Sequence, residues 1–201
     1  MSLSSGLALL TAAADVPTTE GAISASAAAY YYVVPSSADA LVGIGSVDLG
    51  STHLEARYGY EDLRTGSAFV GYGFDVPLRP LELAVTPILG AVFGRTYGVA
   101  PGVEIDARLW KLELSSESEW VLDGAHPNAS FFYTWSELVV RPVEWLQGGA
   151  VLQRTRLLRE APTLEPGAVV GCTLSAVTAK TYVFQPFTAD RFYAFALQAV
   201  F

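Results

Sequence analysis

Apolar and polar residues alternate with a period of two over much of the chain from about Ser24 onward, and no stretch keeps a convincing helical period. In Thr52–Tyr60, Leu54, Ala56, Tyr58 and Tyr60 share one face, and His53, Glu55, Arg57 and Gly59 the other. In Leu81–Phe93 the odd positions are apolar and oppose Glu82, Ala84, Thr86, Ile88 and Gly90. Val103, Ile105, Ala107 and Leu109 then oppose Glu104, Asp106 and Arg108, and Leu112 and Leu114 oppose Lys111, Glu113, Ser115, Glu117 and Glu119. Near the end, Ala168, Val170, Cys172 and Leu174 form an apolar face opposite Val169, Gly171 and Thr173.

Turn-forming residues cut this pattern into segments of roughly 9 to 14 residues, near the length of a tilted membrane-spanning strand. Connections are expected at Pro35–Asp39, Asp48–Ser51, Glu61–Gly66, Pro77–Pro80, Gly94–Gly98, Leu109–Lys111, Asp123–Ser130, Arg141–Glu144, Arg159–Pro166, Val177–Lys180 and Thr188–Arg191. They delimit about twelve strands, with the longer connections tending to alternate with shorter ones, as in a barrel whose outer loops are long and whose periplasmic turns are short. The expected fold is all-β, a transmembrane antiparallel up-and-down β-barrel over residues 21–201. Pro87 and Pro186 each remove a ladder donor and are expected at bulges or rim positions.

Composition sharpens this picture. Apolar residues make up 51% of the 201 and mean hydropathy is +0.35, yet no run of 18 or more residues reads as a spanning helix. Aromatics cluster near segment ends, at Tyr30–Tyr32, Tyr58, Tyr60, Trp110, Trp120, Phe131–Tyr133, Trp145 and Tyr193, where two interfacial girdles are expected. A net charge of −8 without a Lys/Arg cluster argues against nucleic acid. The lone Cys172 excludes an intramolecular disulfide and a Cys-based zinc site and reads as a small hydrophobe. Residues 1–20 read as a signal peptide cut after Ala14 or as a disordered leader; a basic n-region is missing, and the first part of a strand is the alternative.

The last eleven residues, Arg191–Phe201, place Tyr193, Phe195, Leu197, Ala199 and Phe201 on one face. This resembles the closing strand of bacterial outer-membrane β-barrel proteins, and His53–Gly66 and Phe131–Leu138 are similar to segments of uncharacterised porin-like members of that class. The resemblance implies a bacterial outer-membrane location, contact with outer-membrane lipid, and recognition of Tyr193, Phe195, Leu197 and Phe201 by the barrel-assembly machinery during biogenesis. It implies no substrate, since one fold hosts many functions.

His53, Glu55, Arg57, Glu82, Glu104, Asp106, Arg108, Lys111, Glu113, Glu117 and Glu119 are the expected lumen or pore-lining residues. Their carboxylates could be read as a paired-acid hydrolytic site or a calcium site, but Arg57, Arg108 and Lys111 share the same interior and favour a salt-bridged lining. His53 with Ser51 and Glu55 has the residue types of a nucleophile, base and orienting acid. Ser51 sits in a short turn with no evident oxyanion hole, and His126 sits in a loop. Gly43-x-Gly45 and Gly71-x-Gly73 read as strand bends, not phosphate cradles. The expectation is therefore no catalytic site, no cofactor and no metal. A small porin-like channel for ions or small solutes is the first reading, and a closed barrel that anchors or partners other envelope proteins the second.

Overall fold

A computed structural model describes residues 23–35, 38–157 and 163–201. Thirteen strands follow in chain order: β1 Ile23–Val33, β2 Ala40–Leu49, β3 Thr52–Tyr58, β4 Thr65–Tyr72, β5 Phe74–Leu78, β6 Leu81–Gly94, β7 Gly98–Leu109, β8 Leu112–Asp123, β9 Phe131–Val143, β10 Leu146–Leu157, β11 Thr163–Leu174, β12 Val177–Phe184 and β13 Phe192–Val200. All pairings are antiparallel, and β13 returns to β1 in the register Ser26↔Val200 to Val33↔Tyr193. Phe201 extends this seam, its N–H donating to the Ala25 carbonyl at 2.8 Å.

On the far side of the ring β6 pairs with both β4 and β5, in one continuous register that runs from Gly71↔Ile88 to Phe74↔Val85. β4 and β5 are thus two halves of one span, and the molecule is a closed twelve-span barrel. The interruption has a chemical cause. Pro87 lies opposite the gap and has no N–H to give, while Gly73 turns its own N–H to the Ser51 carbonyl at 2.8 Å. Pro186 lies in the β12–β13 connection, at the rim. Gly43 and Gly45, by contrast, keep regular pairing to both neighbours, with no register shift at either.

Connections sort by parity. The even ones are two-residue turns, Gly50–Ser51, Arg79–Pro80, Trp110–Lys111, Glu144–Trp145 and Ser175–Ala176. Gly50 (φ 60°), Trp110 (φ 54°) and Ser175 (φ 55°) take the left-handed backbone that tight hairpins demand. The odd connections are longer, as in residues 59–64, 124–130 and 185–191. The C-terminus shares the short-turn end, because β13 runs toward it.

Several expected boundaries move, because strands run further than composition suggests: Arg141–Val143 belong to β9 and Pro77–Leu78 to β5, which leaves two-residue turns after each. Val177–Lys180 is not a connection but the first half of β12, and the turn precedes it at Ser175–Ala176. A lysine and a threonine mimic turn composition there, yet Thr178 and Lys180 alternate with Val177 and Ala179 and point inward. Thr163–Pro166 belongs to β11, and the rest of the expected Arg159–Pro166 connection lies outside the described residues. The expected leader, residues 1–20, lies outside the described residues.

The outer face is an apolar band, with Leu54, Val70, Leu89, Val140, Val170 and Leu197 all exposed. Tyr31, Tyr58, Trp110, Trp120, Trp145 and Tyr193 stand on that surface near strand ends. Tyr30, Tyr60 and Tyr133 do not join them. Tyr30 and Tyr133 occupy the opposite parity and are buried in the barrel, whereas Tyr60 shares the parity of outward Tyr58 but lies beyond β3, after Gly59 (φ 70°), and packs edge-on against Tyr133 at 5.4 Å. Proximity to a strand end places a ring in height; within a strand parity decides its side, and beyond it the loop does.

Candidate functional site in the barrel lumen

Successive inward positions of β3 deliver His53, Glu55 and Arg57 to the interior, each at most 4% exposed. Arg57 is the hub. Its Nε donates to Glu55 at 2.5 Å, and its Nη1 meets Glu117 at 2.5 Å and Glu119 at 3.2 Å from β8. Glu104 on β7 and Glu61 in the β3–β4 loop lie 3.9 Å from the guanidinium nitrogens. The guanidinium also sits over the rings of Phe69 (4.1 Å) and Tyr60 (4.6 Å), which shield it from solvent. Phe69 reaches this position because residue 90 is glycine: a Cβ there would stand 2.4 Å from the ring.

Among the described residues the charges of this layer do not cancel. Glu55, Glu61, Glu104, Glu117 and Glu119 surround a single guanidinium, with His53 at the edge. Each buried carboxylate costs several kcal/mol to desolvate unless it is paired and hydrogen-bonded. Glu61 offsets part of this by accepting a hydrogen bond from Ser67 Oγ at 2.5 Å, and Glu117 by accepting one from Tyr60 at 3.1 Å. His53 Nδ1 pairs with Asp48 Oδ1 at 2.7 Å across the β2–β3 ladder, and Ser51 lies in the turn with its carbonyl taken by Gly73.

The opposite wall is aromatic. Trp135 of β9 makes edge contacts at 5.5 Å with both Tyr182 and Phe184 of β12, and Phe184 stacks on Phe192 of β13 at 4.6 Å. Tyr30 of β1 completes the group and accepts a hydrogen bond from Gln198 at 2.6 Å. Beneath these rings Glu137 receives Lys180 at 2.5 Å and Tyr182 at 2.9 Å, a second buried ion pair.

Toward the short-turn end the lumen widens into a cavity of about 950 Å³. Its wall carries Asp75, Arg79, Glu82, Asp106, Arg108, Glu113 and Arg141, with Glu137 and Lys180 at its inner limit. Glu113 binds Arg141 through two oxygens (3.2 and 3.0 Å) and lies 3.4 Å from Arg108.

The expected lumen residues therefore separate into three places. His53, Glu55, Arg57, Glu104, Glu117 and Glu119 meet in the buried layer, while Glu82, Asp106, Arg108 and Glu113 line the cavity. Lys111 stands apart in the exposed turn and donates to the Pro142 carbonyl at 2.6 Å, at the rim. Tyr193, Phe195, Leu197 and Phe201 face outward on the closing seam. Glu61, Glu137, Arg141 and Lys180 also belong to the interior, although turn-like composition around Glu61, Arg141 and Lys180 reads as connections. Parity with Thr178 and Tyr182 was the signal for Lys180, and parity with Tyr133 and Trp135 the signal for Glu137 and Arg141.

No protein-family model matches the chain, and no curated protein sequence matches it. Solved structures do: a structure titled KdgM porin superposes with a TM-score of 0.62 over 87% of this chain and 98% of its own length, at 8% sequence identity. At that identity the likeness concerns the fold. The chain shares with that porin the architecture of a closed antiparallel β-barrel of porin type.

Proposed function

We propose that this barrel resides in a bacterial outer membrane and acts as a narrow, porin-like channel for small cations or small polar solutes. The observation that carries this reading is the acidic layer in the lumen, five carboxylates around Arg57, with a cavity of about 950 Å³ that carries charged side chains toward the short-turn end. A ring of carboxylates in a pore with low-dielectric walls attracts cations and repels anions. The apolar outer band and its aromatic rings support lipid contact, and the fold shared with a porin supports transport. The outward aromatics of β13 support recognition by the assembly machinery.

Planar-bilayer recording of the refolded protein tests this. Small discrete conductance steps are expected, with a reversal potential of cation-selective sign under a KCl gradient and weaker selectivity in Glu117→Gln/Glu119→Gln. Bilayers that hold folded protein and carry no discrete steps would overturn it.

A closed barrel that anchors or partners other envelope proteins is the second reading, favoured by one specific feature: the Trp135, Tyr182, Phe184 and Phe192 rings pack against one another inside the lumen. A silent wild type together with a conducting Trp135→Ala would support it.

A further inference from the structure

We infer that the β2–β3–β7 wall of the lumen carries a site for one divalent transition-metal cation with mixed nitrogen and oxygen preference, of the Zn²⁺ kind, ligated by His53 Nε2, Glu55 and Glu104. One ligand atom from each residue lies within 4.8 Å of the other two, and all three side chains are buried.

Acidic character alone would not single out this spot within the layer, and two further observations do. The first is Glu104, only 3% exposed, neither of whose oxygens accepts a hydrogen bond. It points between His53 Nε2 and Arg57 Nη2, each 3.9 Å from Oε1, too far for a hydrogen bond. Glu55 Oε2 is likewise buried without a hydrogen bond, its partner oxygen being the one taken by Arg57. Buried carboxylate oxygens of this kind are costly unless a cation meets them.

The second is the orientation of the imidazole. Asp48 Oδ1 accepts the Nδ1 proton at 2.7 Å, which turns Nε2 and its lone pair toward Glu104. A carboxylate behind the histidine fixes the ring tautomer and raises its basicity, the arrangement that supports metal-bound histidines generally. A separation of 3.9 Å between Nε2 and Oε1 is one that a single ion can bridge at about 2.0–2.2 Å from each. Imidazole with two carboxylates suits zinc and its neighbours better than magnesium or calcium, which take all-oxygen sets. A bound ion would add two positive charges where, among the described residues, five carboxylates face one guanidinium, and would stand in the path proposed above for small cations. The site itself does not depend on that path, because binding is read without any conductance.

The test is zinc binding to the refolded full chain in detergent, by titration calorimetry and by metal content after dialysis, with folding checked by circular dichroism and heat-modifiable gel mobility. One zinc per chain is expected. Glu104→Gln and Glu55→Gln should each weaken binding at least tenfold, and Asp48→Asn by about 10- to 100-fold through the histidine it orients. His126→Gln, in an exposed loop, should leave binding unchanged. The inference is overturned if the folded wild type retains no zinc. It is equally overturned if folded Glu104→Gln and Glu55→Gln bind zinc as the wild type does, or if His126→Gln abolishes binding.

Discussion

The two walls of this lumen fill similar space by opposite chemistry. Around β3, β7 and β8, carboxylates converge on Arg57, whereas around β9, β12, β13 and β1, rings pack on rings. On the aromatic wall each side chain contributes through its own contact area, and the loss of one leaves the others favourable. On the charged wall no residue is favourable alone: Arg57 is tolerated because acids surround it, and those acids because Arg57 is there. A barrel can thus close its interior either by volume or by mutual pairing, and only pairing makes the layer depend on a single residue.

Arg57→Met separates the two most sharply. It leaves five carboxylates without their guanidinium and should destabilise the barrel by about 3–5 kcal/mol or prevent refolding, as measured by urea unfolding followed through tryptophan fluorescence. Arg57→Met/Glu117→Gln/Glu119→Gln should recover part of that loss. No recovery would mean that packing on Phe69 and Tyr60, not charge, is what Arg57 supplies.

Trp135→Ala attacks the other wall and should cost about 3 kcal/mol, at the low end for a buried indole. Its Nε1 is buried without a hydrogen-bond partner, so the same truncation also removes an unsatisfied donor. A loss as large as that of Arg57→Met would erase the distinction between the walls.

Tyr182→Phe probes the junction where an aromatic ring also serves an ion pair. It removes the hydrogen bond to Glu137 but keeps the ring against Trp135 and Phe184, and about 1.5–3 kcal/mol is expected in the same unfolding assay. The smallest effect belongs to Arg95→Ala at the long-loop end. Arg95 is 64% exposed at its 3.3 Å contact with Asp62, and less than about 0.5 kcal/mol should be lost.

Much of this architecture was legible along the chain because a strand has the simplest of periods. One step of alternation put Leu54, Ala56 and Tyr58 on one side and His53, Glu55 and Arg57 on the other, and those sides are lipid face and lumen. Errors arose where composition competed with parity. Lys180 reads as a turn residue until it is paired with Glu137 across three strands. Tyr30 and Tyr133 read as girdle residues until their parity is followed inward. Glu61 sits beyond the end of β3, where alternation no longer reports direction, and the conformation of the β3–β4 loop is what turns it back to Arg57.

By itself, then, the order of residues determined the class of fold, the number of spans, the sorting of loops and which charges share a face, because each is a local consequence of period and turn chemistry. Only the tertiary structure decided that five of those charges converge on Arg57, that Lys111 stays at the rim, that Pro87 splits a span, and that Trp135 meets Phe184. Those are facts of registration around a closed ring. Residues from strands about sixty positions apart, such as Arg57 and Glu117, become neighbours only when β13 has found β1 and curvature turns every inward face toward one axis.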